Sequence, residues 1–166
     1  MSLLNNILIT GTPCCGKSTI AKKVASETGW EWINISDVAK KENLIESFDA
    51  ALNCPIIDED KVVAFLAPKM KKGRCIVEYH GCGFFPEDWF NSVFVLRTET
   101  SYLYDRLSER GYSGRKLNDN MECEIFQVIL EEARETFDHD IIQEIYNNVI
   151  EDVDVNVSLI VSEITQ

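Results

Sequence analysis

Eight residues near the start of the chain, GTPCCGKS at positions 11–18, match the phosphate-loop pattern of glycine, four variable residues and Gly-Lys-Ser. In such a loop, backbone amides point at nucleotide phosphates, the lysine reaches the terminal phosphates and the serine hydroxyl binds Mg2+. We therefore expect Lys17 to act on a nucleoside triphosphate and Ser18 to help hold its magnesium ion. The predicted phosphate-binding residues are Pro13, Cys14, Cys15, Gly16, Lys17, Ser18 and Thr19.

The elements that must position this loop can be read on both sides of it. The apolar run at residues 7–10 predicts a strand that ends at the loop. Residues 18–28 place apolar side chains at helical spacing and are followed by Gly29, a residue type that commonly ends a helix. The positive end of that helix would face the phosphates, as the motif requires.

A second group of chemically useful side chains follows an apolar run at residues 75–79. Glu78 lies near the end of this predicted strand, where phosphate-loop enzymes place the acid that binds Mg2+ directly or through water; a solvent-exposed acid is the alternative. His80 is predicted to contact an acceptor phosphate or to orient a water molecule, with a hydrogen-bonded structural histidine as the alternative. Gly81 and Gly83 would let a ligand approach the backbone closely.

Positive charge reaches the same predicted cleft from a third segment. Arg110 ends a helix predicted over residues 98–110, and its guanidinium is expected to stabilise a transferring phosphoryl group. Arg115 and Lys116 belong to a polar loop predicted over residues 112–118, which is either a mobile cover or a solvated basic turn. Phosphoryl transfer requires positioning and charge neutralisation more than covalent help. The predicted catalytic residues are Lys17, His80 and Arg110.

Apolar patterns in the rest of the chain predict strands that alternate with helices. Strands are predicted over residues 30–35, 92–96 and 141–146, and helices over residues 38–42, 61–70, 119–137 and 155–164, whereas residues 43–57 are read as irregular. Arg97, at the tip of one strand, is expected near the cleft. The pattern predicts an α/β fold of three layers, in which a parallel sheet of about five strands carries helices on both faces. Ligands in such folds lie where strands end and helices begin.

The length of 166 residues suits one globular domain. No apolar run approaches the roughly 20 residues that a membrane-spanning helix needs. The first predicted strand begins almost at the N-terminus and leaves no room for a secretory or transit segment. We therefore expect residues 1–166 to form a single domain that lies inside the cell and does not enter a membrane.

Charge and cysteine content limit the partners that the protein can have. A net charge of −12 would repel a phosphate polymer and therefore disfavours nonspecific nucleic-acid binding. The same charge would suit a basic protein partner, although an acidic surface also arises from solubility alone. The six cysteines show no paired CxxC spacing, so we expect buried thiols in a reducing compartment and no metal other than Mg2+.

Several segments of the chain together carry a family resemblance. They are GTPCCGKST from Gly11, YHGCGFFPEDWF from Tyr79, VFVLRT from Val93, RLSERGY from Arg106 and NMECEIFQVILEEA from Asn120. The chain resembles the adenylate kinase isoenzyme 6 family over about residues 6–137, whereas the remaining C-terminal residues match that family poorly.

The resemblance implies a phosphate-loop nucleoside-monophosphate kinase that moves phosphate reversibly between ATP and AMP or a related monophosphate, with ATP and Mg2+ as cofactors. It also implies an accompanying ATPase activity and a role in maturing the small ribosomal subunit. A basic ribosomal protein would then be the partner, and the protein would be found in nucleus and cytoplasm.

Matched motif by motif, the resemblance assigns residues 14–19 to the ATP phosphates, Arg110 to the lid and His80 to the acceptor. It further implies a monophosphate-binding segment at about residues 33–57 and a short lid at about residues 109–119. The predicted acceptor-binding residues are Ser36, Asp37, Lys40, His80 and Gly81, and the predicted metal ligands are Ser18 and Glu78.

The chain departs from the family pattern at three positions. Cys14 stands where relatives commonly have glycine, Glu78 where aspartate is usual and Lys40 where arginine is common. A side chain at a loop position that favours positive φ must be accommodated by the backbone. Lysine in place of arginine gives up a bidentate contact with the acceptor phosphate.

Three functions remain open from the sequence. The leading hypothesis is a small nucleotide kinase. The chain has no NKxD motif of the kind that reads guanine, which argues against a GTPase switch. The rival is an ATP-hydrolysing assembly factor whose main role is the release of a protein partner. A nucleotide-binding protein without turnover is the third.

Overall fold

Seven strands are present in the computed structural model, which describes residues 5–166. They are β1 (Asn6–Gly11), β2 (Glu31–Asn34), β3 (Ile45–Asp49), β4 (Cys54–Ile57), β5 (Cys75–Glu78), β6 (Ser92–Arg97) and β7 (Ile142–Tyr146). Five of them form a parallel sheet in the order β2, β5, β1, β6, β7, and β3 pairs with β4 in a separate antiparallel hairpin. The predicted parallel sheet of about five strands is therefore confirmed.

Helices cover both faces of this sheet, which makes the three predicted layers. They are α1 (Lys17–Thr28), α2 (Ile35–Lys41), α3 (Glu59–Lys72), α4 (Thr100–Glu109), α5 (Gly114–Ile125), α6 (Val128–Thr136) and α7 (Ile150–Ile164). Helices α1, α4 and α7 bury apolar side chains against one face, and α3 and α6 do so against the other.

Side chains of the central strands alternate between two buried cores. Leu8 of β1 belongs to the core beneath α3 and α6, whereas Ile7 and Ile9 belong to the core beneath α1, α4 and α7. Strand β6 repeats the pattern with Val93 and Phe94. Because both faces are covered, these strands appear in the sequence as continuous apolar runs.

The position of β1 in the sheet determines where a ligand can bind. From β1 the chain passes to β2 on one side of the sheet, and it later places β6 on the other side of β1. The carboxyl end of β1 thus lies at a topological switch point, the usual ligand position in open α/β sheets. Strand β1 ends at Gly11 and its neighbour β5 ends at Glu78, so the loops that follow both strands meet at this edge.

The segment at residues 43–57, which the sequence pattern reads as irregular, contains the β3–β4 hairpin. Consecutive polar residues at Glu46 and Ser47 and a proline at Pro55 obscure the strand pattern, because proline cannot donate a ladder hydrogen bond. The hairpin stands apart from the main sheet, and Phe48 is 59% exposed.

The prediction of one long helix over residues 119–137 is wrong, because two helices occupy this region. Helix α5 begins at Gly114, within the predicted polar loop at 112–118, and α6 follows after a break. Gln127 at the break has a φ of 57°, in the left-handed region, which interrupts the helical hydrogen-bond ladder. Apolar spacing continues through the break, since spacing records which side chains are apolar and not the φ of one residue.

The predicted final strand and helix are both confirmed. Strand β7 agrees with the prediction at 141–146, and α7 begins five residues before the predicted start at 155. The carboxylate of Asp152 accepts hydrogen bonds from the amides of Asn148 and Val149 at 2.9 and 3.0 Å, which satisfies donors at the helix start.

Within residues 5–166, no helix is both long enough and apolar enough to cross a bilayer. The six cysteines are free thiols, of which Cys15, Cys75 and Cys82 are buried. Burial raises the pKa of Cys15 to about 11, and the carboxylate of Glu124 adds to the effect, so this thiol stays protonated at neutral pH.

Helix α7 closes one of the two cores, and its contribution can be measured. Ile160 is fully buried, while its neighbour Leu159 is 40% exposed. Ile160→Ala is expected to lower the free energy of unfolding by about 2–5 kcal/mol because it leaves a cavity under the helix. Leu159→Ala, the matched control, is expected to cost less than about 1 kcal/mol. Urea denaturation measures both, and equal losses would contradict this packing.

Candidate active site

A cleft with a volume of about 650 Å³ opens where the carboxyl ends of β1 and β5 meet. Helix α2, the β3–β4 hairpin and helix α5 supply further lining residues, so the cleft is bounded by segments that are distant in the chain. The predicted site residues that line it are Pro13, Cys14, Gly16, Lys17, Ser18, Thr19, Ser36, Lys40, Glu78, His80 and Arg110.

The backbone of the phosphate loop depends on three residues with positive φ. Gly11 has a φ of 149°, and a Cβ there would lie 2.7 Å from the carbonyl oxygen of Leu96 on β6. Gly16 has a φ of 94°, and a Cβ there would collide with the side-chain amide of Asn147. Cys14 has a φ of 72° although it carries a side chain. The loop therefore keeps its left-handed turn at Cys14 at a cost of about 1–2 kcal/mol.

Lys17 is held at the base of the loop rather than on the surface. Its ammonium donates hydrogen bonds to the carbonyl oxygens of Gly11 at 2.9 Å and Thr12 at 3.1 Å, and the residue is 9% exposed. Burial lowers the pKa of Lys17, and the carboxylate of Glu78 opposes part of that effect. The cation thus lies inside the loop that would receive the phosphates.

Ser18 and Glu78, the predicted metal ligands, are in direct contact. The Ser18 hydroxyl donates to Oε2 of Glu78 at 2.7 Å, and the indole of Trp32 donates to Oε1 at 2.9 Å. These two donors fix the carboxylate of Glu78 from both sides, and the residue is 5% exposed. The pair offers the hard oxygen donors that Mg2+ prefers, and Mg2+ in phosphate-transfer sites usually needs only one or two carboxylates beside water and substrate phosphates.

The part of the chain that the structure describes contains no group of three or more His, Cys, Asp or Glu side chains that could hold a metal ion.

The far side of the loop is fixed by the end of β7. The side-chain amide of Asn147 donates to the carbonyl oxygen of Cys15 at 2.9 Å. The guanidinium of Arg106 donates to the carbonyl oxygen of Asn147 at 3.0 Å and to that of Cys14 at 3.4 Å. Asn147 is 3% exposed. A residue from the C-terminal part of the chain thus shapes the N-terminal phosphate loop.

Predicted acceptor residues also line the cleft. Ser36 and Lys40 of α2 line it, and the side chain of Asn34 accepts a hydrogen bond from the third amide of that helix at 3.2 Å. The ring of Tyr79 lies 4.2 Å from that of His80, measured between centroids. Acceptor-side groups and phosphate-loop groups therefore share one cleft.

His80 keeps an exposed surface toward the cleft, although the surrounding walls withdraw the imidazole from bulk water. This desolvation, with a smaller contribution from the charge of Lys17, lowers the pKa of His80 to about 4. The imidazole is therefore neutral at physiological pH and can accept a hydrogen bond.

The mouth of the cleft is formed by the segment after α4, by α5 and by the hairpin. Arg110 follows α4 and is exposed at the cleft lining. The ammonium of Lys116 lies 4.4 Å from the ring centre of Tyr112 and donates to the carbonyl oxygen of Asn53 at 3.1 Å. Residues of the predicted lid and of the predicted monophosphate-binding segment thus touch across the mouth.

Six predicted residues lie outside the cleft lining. Cys15 is buried in the core beneath α1, and Asp37 is exposed at the start of α2. Gly81 lies against the ring of Tyr79, and Gly83 lies against Glu132 of α6. Arg115 forms an exposed ion pair within its own helix. The expectation that Arg97 lines the cleft is wrong, because its guanidinium forms a buried ion pair with Glu124 on α5 and a partly buried one with Glu144 on β7.

Sequence reasoning missed two residues that support the site, Trp32 and Asn147. Trp32 lies on a short strand and reads as an ordinary aromatic core residue. The rule that identifies Glu78, a polar residue at the end of an apolar strand, would also identify Asn147 after β7. Its partner in the phosphate loop, 132 positions away, leaves no mark in the local pattern.

Known proteins are similar to this chain in sequence and in fold. A family model described as an AAA domain matches residues 7–127. The adenylate kinase isoenzyme 6 homolog of Drosophila melanogaster is 47% identical over 155 residues, which cover 93% of this chain and 89% of that protein. The homolog of Schizosaccharomyces pombe is 46% identical over 162 residues, covering 98% and 93%. The chain belongs to the adenylate kinase isoenzyme 6 family.

Family membership confirms the resemblance seen in the motifs and corrects its extent. The S. pombe match covers 98% of the chain, so the likeness extends into the C-terminal residues that were expected to match poorly. A shikimate kinase from Acinetobacter baumannii, solved in complex with shikimate, has a TM-score of 0.67 with 14% identity and covers 98% of this chain and 93% of its own. At that identity the likeness shows the fold alone.

The low pKa of His80 gives a pH prediction. NMR titration of the imidazole is expected to show a midpoint near 4, with the signal assigned by its loss in His80→Gln. Because unfolded histidine has a pKa near 6.5, the unfolded state binds more protons between about pH 4 and 6.5, so the free energy of unfolding from this group rises with pH over that window. The Gln variant should lack this slope, and a midpoint above 6 would contradict the prediction.

Proposed function

We propose that the protein is a nucleoside-monophosphate kinase that transfers the terminal phosphoryl group of Mg-ATP to AMP or a related monophosphate, forming two nucleoside diphosphates when AMP accepts. The single observation that carries the proposal is the shared cleft. The phosphate-loop cation Lys17 and the acceptor-side residues Lys40 and His80 line one continuous space. Two phosphorylated ligands could therefore meet in line between them.

The relatives support the nucleotide class of both substrates. Proteins from Drosophila melanogaster and Schizosaccharomyces pombe that share almost half of their residues with this chain carry the name adenylate kinase isoenzyme 6 homolog. That name supports ATP as donor and AMP as acceptor. The likeness to a shikimate kinase supports the fold and not the acceptor.

Residues of the loop would neutralise and position the transferring group. Lys17 is already desolvated, and the negative charges of a polyphosphate favour its protonated form. Its ammonium lies against the Gly11 and Thr12 carbonyl oxygens, which keeps its position fixed before chemistry. Arg110 brings a guanidinium to the same cleft from the end of α4. Preorganised cations of this kind stabilise charge that develops in the transition state.

The metal fits the pair already in contact. Ser18 and Glu78 would hold Mg2+, directly or through water, and the ion would supply charge neutralisation across the donor phosphates. Trp32 keeps one carboxylate oxygen of Glu78 engaged, which leaves the other oriented toward Ser18. The acceptor is a phosphate oxygen that is already ionised at neutral pH, so the transfer needs no strong general base.

The proposal includes an accompanying ATPase activity in the same cleft. His80 is neutral and lies in the cleft lining, so its imidazole could accept a hydrogen bond from a water molecule, and thus orient it, when no monophosphate is bound. This observation favours the second candidate function, an ATP-hydrolysing assembly factor whose main role is partner release.

The proposal extends to the cellular role that the family resemblance implies. That role is maturation of the small ribosomal subunit in nucleus and cytoplasm, with a basic ribosomal protein as partner. The net charge of −12 supports a basic partner, since opposite charges steer association. Co-sedimentation with precursors of the small subunit would measure this part separately.

The kinase and ATPase hypotheses differ in how they use AMP. With Mg-ATP and AMP, the kinase is expected to form two ADP for each ATP consumed and little free phosphate, because the acceptor outcompetes water in the cleft. Separate measurement of ADP, AMP and free phosphate makes the comparison. The kinase hypothesis would be contradicted if free phosphate were released equally fast with and without AMP and no AMP were consumed. That result would support the assembly factor.

A matched pair of lysine variants controls this assay. Lys17→Ala should lower turnover of either kind by at least about a hundredfold, as loss of a transition-state cation does. Lys22→Ala removes an exposed charge from the same helix, α1, and should leave turnover within about twofold.

Lys40 provides a test of the acceptor end. Lys40→Ala is expected to raise the KM for AMP by about tenfold, with the KM for ATP unchanged, because the lost ammonium lies at the acceptor end of the cleft. Steady-state kinetics with each substrate varied in turn measures the split. Lys41→Ala, an exposed neighbour on the same helix, is the control. An equal rise in both KM values would place Lys40 elsewhere in the mechanism.

A further inference from the structure

A buried carboxylate that the proposed mechanism does not use lies against the phosphate loop. Glu124, near the end of α5, is 3% exposed. Its Oε1 accepts a hydrogen bond from the Thr12 hydroxyl at 2.9 Å, and its Oε2 accepts one from the amide of Thr98 at 2.8 Å. The guanidinium of Arg97 donates to Oε2 at 3.1 Å and to the main-chain carbonyl of Glu124 at 3.1 Å. Each oxygen of this carboxylate is thus bound by a different segment.

Thr12 is the point at which these contacts meet the catalytic loop. Its side chain donates to Glu124, while its carbonyl oxygen accepts hydrogen bonds from the ammonium of Lys17 and from the amide of Cys15, both at 3.1 Å. The orientation of one peptide group therefore depends on Glu124 on one side and holds Lys17 on the other.

The anchor itself is rigid. Arg97 ends β6, the strand beside β1, and is 7% exposed, and it also donates to Glu144 at 3.3 Å. Glu124 is thereby fixed to the end of the central sheet rather than to a surface loop. Ion-paired and doubly hydrogen-bonded, its carboxylate cannot shift without leaving buried polar groups without partners.

The same helix forms part of the cleft wall. Lys116, Asn120 and Cys123 of α5 line the cleft, and the Thr12 hydroxyl also lies 3.8 Å from the sulfur of Cys123. The loop and this wall therefore share one attachment point.

We propose that Glu124 is a positioning residue for Lys17. It fixes the hydroxyl of Thr12, so that the carbonyl oxygen of Thr12 holds the ammonium of Lys17 and the amide of Cys15 in the geometry that receives nucleotide phosphates. The inference rests on the proposed function because it assigns the loop to nucleotide phosphate. It adds one residue, 105 positions after Thr19 in the sequence, to the set that determines affinity for ATP.

Substitutions at Thr12 test the link without disturbing the buried ion pair. Thr12→Val keeps the shape of the side chain and removes the hydroxyl, whereas Thr12→Ser keeps the hydroxyl. If Glu124 acts through Thr12, the Val variant should bind ATP about tenfold more weakly, as expected for loss of a hydrogen bond to a charged group, and kcat should fall. The Ser variant should stay within about twofold of the unsubstituted protein. Calorimetric titration with ATP gives the affinities.

A double-mutant cycle separates positioning from stability. Glu124→Gln is expected to weaken ATP binding in the unsubstituted protein but to add little in the Thr12→Val background, because both changes break the same link. In contrast, Glu124→Gln should still lower the free energy of unfolding in the Thr12→Val background, since the ion pair with Arg97 is lost there too. Should the Gln variant fail to fold, the Val and Ser comparison decides alone.

A purely structural role for Glu124 predicts different results. The proposal is overturned if Thr12→Val binds ATP as tightly as Thr12→Ser, or if the effects of the two substitutions on affinity add fully. Because the readout is affinity for ATP, it stays distinct from the kinase hypothesis, whose failure would appear as AMP left unconsumed.

Discussion

The site depends on the hydrogen bonds that the ammonium of Lys17 donates to two carbonyl oxygens of its own loop. A loop can enclose a cation in this way only if its backbone turns sharply, and three residues with positive φ provide the turn. At Gly11 the backbone of β6 approaches closely, and at Gly16 the side chain of Asn147 does so. Neither position therefore has room for a Cβ. The third, Cys14, adopts the same backbone conformation with a side chain present. The loop geometry is therefore enforced from outside as well as encoded within it.

Much of the fold and of the nucleotide end of the site could be predicted from the sequence for a physical reason. Strands covered on both faces must be apolar throughout, so β1, β5 and β6 stand out as short continuous runs. Parallel strands end at one edge, which brings Lys17, Glu78 and His80 together without any knowledge of their contacts. Residues identified by their place after a strand were thus largely found in the cleft.

What could not be predicted depends on single dihedral angles or on distant partners. The left-handed Gln127 divides one apolar pattern into two helices, and no periodicity reveals it. Glu124 sits on an amphipathic helix like any surface acid, and only its contacts with Thr12 and Arg97 show that it is buried. Asn147 acts on the loop across 132 positions of sequence. Such residues have functional consequences through tertiary structure alone, so local patterns do not distinguish them.

The hydrogen bond between Lys116 and Asn53 crosses the mouth of the cleft and is exposed to solvent. A bond of this kind is worth only about 0.5–1.5 kcal/mol, which is close to thermal energy at room temperature. This single exposed contact therefore adds little to the free energy that holds helix α5 against the hairpin.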